Sequence, residues 1–252
     1  MTGIDYRALC ALARKAGAAI MEIYGDAFEV ETKKDASPLT AADRAAHVII
    51  DAGLQELYPE IPLLSEEGRD IPFEERKSWR LFWLVDPLDG TKEFIKRNGE
   101  FTVNIALIED GYPVAGVVHL PAAGRTYFGG KGDGAWLEEE GSPPVMIHPR
   151  VPRAGRGLAV VMSRSHPSPE LDDYLAGIDV AASISVGSSL KFCAIAEGKA
   201  DLYPRLGPTM EWDTAAGQAV VESAGGKVVD LAGNRLRYNK EELLNGSFIV
   251  SA

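Results

Sequence analysis

The chain has few cysteines and no obvious zinc motif. Only 2 of its 252 residues are cysteine, Cys10 and Cys193. Both lie in apolar helical patterns, where a buried reduced thiol is expected rather than a disulfide or a nucleophile. The 4 histidines are scattered without metal-ligand spacing, and neither His-Glu-x-x-His nor Cys-x-x-Cys occurs. The sequence therefore gives no support for a disulfide framework or a zinc site.

Positive charge is also scarce, since 26 Lys and Arg face 37 Asp and Glu, for a net charge of −11 at pH 7. A nucleic-acid-binding protein is not expected, because phosphate contacts along a polymer need clustered Lys and Arg. A small anion is a different case. A carboxylate-lined pocket repels phosphate until divalent cations occupy it, after which the local sign inverts.

Long apolar runs are missing as well. No run approaches the ~18 residues of a membrane span, and the N-terminus lacks the pattern of a signal peptide. We therefore expect a soluble, cytoplasmic protein. With 46% hydrophobic residues the chain can bury a sizeable core, in one large domain or two closely packed ones, and no low-complexity linker separates them.

Two aspartates follow residues 81–85, an apolar run typical of a buried strand. Pro87 lacks an N–H, so the chain is expected to leave the strand between Asp86 and Asp89. A kink there can turn the Leu88 carbonyl toward the same point as both carboxylates. Three hard oxygen ligands so close together suit Mg²⁺.

Gly90 and Thr91 come next and open a segment whose first backbone amides are unpaired. Such a turn beside a divalent cation is a ready place for a phosphate. The alternative is an ordinary Asx or type I turn, in which Gly90 only supplies a positive φ. The first reading indicates phosphoryl chemistry.

Two further acidic elements strengthen the first reading. Asp213 stands at the start of the apolar helical run 215–224, where an Asp is most simply an N-cap. Residues 215–217 are small, so an anionic substrate or a metal could approach Asp213 closely. Glu66 and Glu67 follow an apolar segment, although paired surface acids of this kind are usually only solvated.

Together these elements resemble the inositol monophosphatase superfamily of magnesium-dependent phosphomonoesterases. Its pattern is a Glu-Glu pair after a strand, then Asp-Pro-[Ile/Leu]-Asp-Gly-Thr, then Trp-Asp-x-Ala-Ala-Gly far downstream, and residues 65–67, 86–91 and 212–217 match it. Within the superfamily the chain is most similar to the CysQ-type 3′(2′),5′-bisphosphate nucleotidases. That likeness runs from about Ala8 to the C-terminus and is carried by residues 92–104, 186–193 and 200–205.

The periodicity of the sequence predicts helices over residues 6–24 and 40–57, with Gly25 as C-cap and Thr40 as N-cap. An antiparallel meander follows, with strands over 101–108, 112–120 and 125–128 and a glycine-rich turn at 129–134. In the last third, strands at 158–162, 182–186, 201–203 and 227–229 alternate with helices at 168–176, 188–197 and 214–224.

The resemblance implies a layered α/β/α/β/α sandwich, of mixed α+β and α/β class. We expect an N-terminal α+β domain (1–153) with the antiparallel sheet and most metal ligands. A C-terminal α/β domain (154–252) would carry the substrate pocket and Asp213. The boundary falls near the Pro-, Gly- and Arg-rich residues 150–156, and the site would lie in the cleft between the two halves.

The mechanism that the resemblance implies is in-line attack on a phosphate monoester by a metal-activated water, without a phosphoenzyme and with two or three Mg²⁺ per site. Glu66, Asp86 and the Leu88 carbonyl would hold one ion, and Asp86, Asp89 and Asp213 another. Glu67 remains an alternative to Glu66.

The catalytic set implied by the resemblance is Asp43, Thr91 and Glu66. From the sequence alone, Asp43 is most simply a capping acid. By resemblance it pairs with Thr91 to orient the water. The amides of Gly90 and Thr91 would cradle the phosphate.

The implied substrate is adenosine 3′,5′-bisphosphate, converted to AMP and phosphate during sulfur assimilation. Its second phosphate needs cations, for which Lys191 and Arg205 are the candidates, with Ser188 adding a hydroxyl and Asp213 facing the substrate. Judged alone, both basic residues would be read as solvent-facing. His166 is a further candidate near the nucleotide.

Two other functions stay open. One is an inositol or fructose-1,6-bisphosphate phosphatase on the same fold. The other, of a different class, is a non-catalytic regulator that binds a phosphorylated ligand, although such a binder would not need Thr91 with Asp43. A homodimer and, at most, a peripheral membrane association are further expectations by analogy.

Overall fold

The structure is a computed structural model that describes residues 3–26, 38–151, 155–163 and 169–252. His166 and the centre of the expected domain boundary lie outside these ranges. The first part of the chain contains α1 (Tyr6–Asp26), α2 (Pro38–Leu57), β1 (Leu63–Ser65), α3 (Phe73–Arg76), β2 (Leu81–Asp89), α4 (Thr91–Ile95), β3 (Thr102–Glu109), β4 (Tyr112–Leu120), β5 (Arg125–Gly130), β6 (Gly134–Glu139) and β7 (Val145–Ile147).

The later part alternates strands and helices before a final group of short strands. Its elements are β8 (Leu158–Ser163), α5 (Pro169–Leu175), β9 (Val180–Val186), α6 (Leu190–Ala196), β10 (Leu202–Arg205), β11 (Thr209–Met210), α7 (Glu211–Ala224), β12 (Lys227–Asp230), β13 (Leu244–Asn245) and β14 (Phe248–Ser251).

The first sheet contains β1 to β7 in chain order. Only the β1–β2 pair is parallel, and β2 to β7 form the predicted antiparallel meander. Alternate residues of β2 enter different cores: Phe82 and Leu84 face one, and Trp83 and Val85 face the other. Both faces of the sheet are covered, which explains why this strand reads as a continuous apolar run.

The second sheet has the order β12-β14-β10-β8-β9. β8 is parallel to β9 and β10, and β14 is antiparallel to its two neighbours. Helices α1 and α2 cover one face of the first sheet, and α6 and α7 share the other core with residues of the second sheet. The layers follow in the order α1 and α2, the first sheet, α6 and α7, and the second sheet. This layered arrangement confirms the predicted fold class.

Small residues allow α7 to lie close to its neighbours. A Cβ at Gly116 of β4 would lie 2.6 Å from the Ala216 carbonyl oxygen and 2.7 Å from the Ala219 Cβ. A Cβ at Gly217 would lie 2.5 Å from the Phe192 ring of α6. The Ala-Ala-Gly segment was predicted to leave room for a ligand. In the structure it serves close packing against β4 and α6.

Several element ends differ from the sequence prediction. Helix α1 continues through Gly25, so this residue is not its C-cap. Helix α2 begins at Pro38, which suits the first turn of a helix, and Thr40 therefore lies inside that turn instead of capping it. In the predicted glycine-rich turn, the outer glycines belong to β5 and β6.

The division at residues 153 and 154 stays a prediction. Helix α7, which belongs to the second half by sequence, packs against strands of the first sheet. Within the described residues, none of the helices combines the length and apolarity needed to cross a bilayer. Both cysteines are free and buried, as expected.

Candidate metal centre and cleft

The two aspartates of the first motif lie on a β-bulge. The sequence suggested that the chain leaves strand β2 between Asp86 and Asp89, but the strand continues to Asp89. Asp86 pairs with Asn104 and Asp89 with Thr102, so β2 has one residue more than β3 between these pairs. Pro87 has no N–H to donate to the neighbouring strand, and a β-bulge is a position in a sheet that tolerates proline for this reason. The bulge re-aims the side chains at the end of the strand.

Asp213 occupies the third position of α7, which begins at Glu211. The prediction that Asp213 is the N-cap is therefore wrong. Its Oδ2 atom accepts a hydrogen bond of 2.8 Å from the Met210 amide, the reach-back bond of a capping-box acid. This bond fixes the side chain at the helix start and points the carboxyl group out of the first turn.

Asp86, Asp89 and Asp213 come together although they lie up to 127 positions apart in the sequence. One carboxylate oxygen from each lies within 4.8 Å of those of the other two. Asp86 is buried, and burial together with the charges of Asp89 and Glu66 raises its pKa well above the ordinary value. Burial and Asp89 raise the pKa of Asp213 to about 7. Ionising all three is unfavourable unless a positive charge offsets their repulsion.

Glu66 lines the same cleft but is not part of this compact trio. Its pKa is raised, first by loss of hydration and then by Asp89 and Glu67, while a hydrogen bond with Asp86 works in the opposite direction. Glu67 interacts instead with Asp43. The geometry therefore favours Glu66 over Glu67 as the residue that faces the aspartates.

Asp43 on α2 is buried, and its Oδ1 atom has no hydrogen-bond partner among the described residues. Burial, Glu67 and Glu66 raise its pKa to about 8. The structure thus places Asp43 beside the glutamates. The hydrogen bonds found among the described residues do not include one between Asp43 and Thr91, so their predicted pairing stays a prediction.

The end of β2 and the start of α4 form one wall of the cleft. Leu88, Gly90 and Thr91 line it next to the aspartates. Gly90 has φ of 103°, a left-handed conformation, and a Cβ there would lie 3.1 Å from the Glu100 carbonyl oxygen. Glycine is therefore required at this turn for both its conformation and its size.

The basic residues predicted to bind substrate come from the second half of the chain. Lys191 is buried, its Nζ donates a 2.6 Å hydrogen bond to the Ser188 carbonyl, and burial lowers its pKa. Arg205, at the end of β10, donates from Nη2 to the Pro208 carbonyl at 2.9 Å. Its buried Nε has no partner within the part of the chain that the structure describes. Both residues line the cleft, which has a volume of about 290 Å³.

Ser188, predicted to bind substrate, lines the cleft and directs its hydroxyl to a predicted metal ligand. Its Oγ lies 2.6 Å from Asp89 Oδ2 and 2.6 Å from Thr102 Oγ1. Sequence reasoning missed three neighbours of Asp89 in this region: Thr102, Asn104 and Ser189. The only local signal was the Ser-Ser pair before α6, because the strand residues lie 85 positions or more from the serines they contact.

The donor set fits a hard divalent cation. Three carboxylates converge, and the pKa values of Asp86 and Asp213 are raised by burial and by the charges of neighbouring acids. Clustered oxygen ligands of this kind suit Mg²⁺ or Mn²⁺ rather than a soft metal.

Comparison with known proteins identifies the family. The model of the inositol monophosphatase family matches residues 5–252. The 3′(2′),5′-bisphosphate nucleotidase CysQ of Escherichia coli (strain K12) is 53% identical over 247 residues, covering 96% of this chain and 98% of that protein.

Solved structures show the same relation. The crystal structure of CysQ from Bacteroides thetaiotaomicron, a bacterial member of the inositol monophosphatase family, superposes with a TM-score of 0.86 at 45% identity, covering 98% of this chain and 97% of that one. Inositol monophosphatase II from Staphylococcus aureus gives a TM-score of 0.80 at 25% identity, covering 98% and 88%. This chain belongs to the inositol monophosphatase family.

Proposed function

We propose that this protein is a 3′(2′),5′-bisphosphate nucleotidase that hydrolyses adenosine 3′,5′-bisphosphate to AMP and phosphate. The observation that carries the proposal is a single cleft lined both by three clustered aspartates and by two cationic side chains, Lys191 and Arg205. The first set suits a cation-assisted phosphate ester, and the second suits another phosphate of the same substrate. Identity of 53% to a CysQ nucleotidase supports this choice over an inositol phosphatase at 25%.

The cation that we propose is Mg²⁺, with two or three ions per site. Asp86, Asp89 and Asp213 would hold it, joined by Glu66 and the Leu88 carbonyl. Bound there, the metal would activate a water molecule and neutralise charge on the phosphate.

The remaining steps fall to side chains and amides of the chain. The Gly90 and Thr91 amides bind the phosphate oxygens at the start of α4, where backbone N–H groups are unpaired. Thr91 and Asp43 orient the attacking water as it loses its proton, and the buried Oδ1 of Asp43, which has no partner among the described residues, is available for this contact. Glu66 is the third proposed catalytic residue.

Lys191 and Arg205 bind the second phosphate in this account. Arg205 Nε is a donor that the described residues do not satisfy, and a phosphate oxygen would satisfy it. Lys191 is held by the Ser188 carbonyl, so its charge stays in place without a ligand. We assign Ser188 to the support of Asp89 rather than to direct contact with substrate.

The first test measures phosphate release from adenosine 3′,5′-bisphosphate, inositol 1-phosphate and fructose 1,6-bisphosphate, with and without Mg²⁺. We expect Mg²⁺-dependent preference for the nucleotide, and a loss of at least ~10³-fold in Asp86→Asn, because metal ions supply several kcal/mol to such reactions. Preference for a sugar or inositol phosphate would overturn the specificity, and no turnover of any of them would favour the non-catalytic regulator.

The second test isolates the second phosphate. For Arg205→Ala we expect kcat/KM on adenosine 3′,5′-bisphosphate to fall by ~10- to 100-fold, the value of one charge-assisted hydrogen bond. Activity on adenosine 3′-monophosphate, which lacks that phosphate, should not change. Arg80→Ala is the matched control, because Arg80 is exposed and pairs with Asp110. An equal loss on both nucleotides would show that Arg205 does not read the second phosphate.

A further inference from the structure

Three donors converge on one oxygen of Asp89. Its Oδ2 atom lies 2.6 Å from Ser188 Oγ, 3.0 Å from Ser189 Oγ and 3.4 Å from Asn104 Nδ2. A carboxylate has two oxygens, and hydrogen bonds from protein donors occupy Oδ2. Oδ1 is then the oxygen left for a cation.

Ser189 is the junction of this network. Its hydroxyl oxygen accepts a 2.9 Å hydrogen bond from Asn104 Nδ2 and lies 2.8 Å from the Asp213 carbonyl oxygen. It has one proton to share between that carbonyl and Asp89 Oδ2. Ser189 is only 1% exposed. One buried hydroxyl thus contacts two of the three residues of the aspartate trio.

The network joins elements that are distant in sequence. Asp89 ends β2, Asn104 lies on β3, Ser189 precedes α6 and Asp213 lies on α7. Thr102 completes it, because its Oγ1 lies 3.0 Å from Asn104 Oδ1 and 2.6 Å from Ser188 Oγ. The bulged end of β2 and the start of α7 are therefore tied together by polar groups, of which Thr102, Asn104 and Ser189 are not among the residues that line the cleft.

We propose that Ser189 is a positioning residue of the metal centre, whose hydroxyl holds Asp89 and the backbone of Asp213 at the separation that a divalent cation requires. The role rests on the proposed function, since it presumes that a cation binds at the aspartate trio. Ser189 does not itself contact the substrate or the metal. It acts through Asp89, whose orientation it sets, and through the first turn of α7.

The hydroxyl has effects that a methyl group cannot supply. In Ser189→Ala, Asn104 Nδ2 loses its nearest acceptor, the Asp213 carbonyl loses its side-chain donor, and Asp89 Oδ2 loses one of three contacts. Groups that orient metal ligands in this way typically change metal affinity by ~10- to 100-fold when they are removed.

The test is an Mg²⁺ titration of the full chain followed by thermal unfolding, starting from protein stripped with EDTA. We expect the Mg²⁺ concentration for half-maximal stabilisation to rise by ~10-fold or more in Ser189→Ala. We expect kcat to recover toward the wild-type value at saturating Mg²⁺. The matched control is Thr126→Val, which deletes another buried hydroxyl, the partner of His119 Nδ1 at 2.9 Å. It should lower stability without changing the Mg²⁺ requirement.

Each outcome decides a different point. If wild type responds to Mg²⁺ and Ser189→Ala has the same half-maximal concentration, the positioning role is wrong. An equal shift in Thr126→Val would also overturn it, because the effect would then be general destabilisation. If wild type shows no response to Mg²⁺, the metal centre itself fails, and the role of Ser189 with it. If Ser189→Ala does not fold, the second variant is Asn104→Ala, which removes a donor to both Ser189 and Asp89. Its Mg²⁺ concentration for half-maximal stabilisation is compared with that of wild type in the same way.

Discussion

Asp86 is the residue on which most of the account depends. It is buried, and the other acids of the cleft surround it, so burial and repulsion both oppose its ionisation. A fold that keeps such a group must either leave it protonated or bring a cation to it. The free energy of unfolding of the metal-free protein should therefore depend on pH.

The sign of this dependence follows from proton binding. In the unfolded chain these carboxyls lose their protons near pH 4, whereas in the folded metal-free protein Asp213 keeps its proton to about pH 7 and Asp43 to about pH 8. Between those limits the folded state binds more protons. The contribution of these groups to the free energy of unfolding is therefore present at low pH and is lost as pH rises.

Asp86→Asn should reduce the loss of stability at high pH, because it removes one negative charge from the acid cluster. In EDTA at pH 8 we expect the variant to exceed wild type in free energy of unfolding by ~1 kcal/mol or more, the equivalent of one pKa unit. At pH 5 the difference should shrink, and Mg²⁺ at pH 8 should stabilise wild type but not the variant. Urea unfolding at both pH values measures this. A variant less stable than wild type throughout would contradict the charge argument.

The sequence predicted the acidic residues of the site but not their supports. Asp86, Asp89 and Asp213 belong to recognisable motifs, so their convergence could be expected. Asn104 reads as an ordinary strand residue, and Ser189 as an ordinary residue before a helix. Their roles depend on a contact between chain segments 85 positions apart, and local patterns carry no information about such pairs.

Helix α7 connects packing to the site. It carries Asp213 in its first turn and lies against β4 through Gly116, where a side chain would meet backbone as well as Ala219. The position of this acid relative to Asp86 therefore depends on how closely the helix approaches the sheet. Because well-packed interiors transmit strain, a small displacement at Gly116 should reach the acid cluster.

Gly116→Ala should separate the helix from the sheet. We expect a loss of ~1 to 3 kcal/mol in the free energy of unfolding, as for other overpacked cores, and a higher Mg²⁺ concentration for half-maximal thermal stabilisation. Gly53→Ala is the control, because a Cβ there meets only the end of the Leu12 side chain between α1 and α2. It should leave the Mg²⁺ requirement unchanged. Equal effects of both variants would exclude a specific link between α7 packing and the metal centre.

Among the elements, long periodic segments were predictable and short ones were not. The meander β3 to β5 and helices α1 and α2 follow from apolar periodicity. The sequence did not indicate β7, of 3 residues, or β13, of 2, because so few residues carry no period. The bulge in β2 was mistaken for the end of the strand, since proline signals both.

Over the whole molecule, buried polar contacts join the two sequence halves in addition to the shared apolar layer. Arg76 of α3, 2% exposed, donates to the carbonyls of Lys240 and Glu241. Glu211 of α7, fully buried, accepts from the amides of Asn239 and Lys240 and from Lys240 Nζ. One loop is thus bound to both halves, which fixes the walls of the cleft relative to each other.

Because these buried contacts hold the two halves together, we expect the cation site in the cleft to be rigid. The central claim is that Asp86, Asp89 and Asp213 bind the metal on which phosphate release depends. The direct measurement is an anomalous difference map from crystals grown with Mn²⁺, which takes the same carboxylate ligands as Mg²⁺. The account predicts at least one peak in contact with all three carboxylates. A protein that releases phosphate in the same Mn²⁺ solution, but whose crystals show no peak at these aspartates, would contradict it.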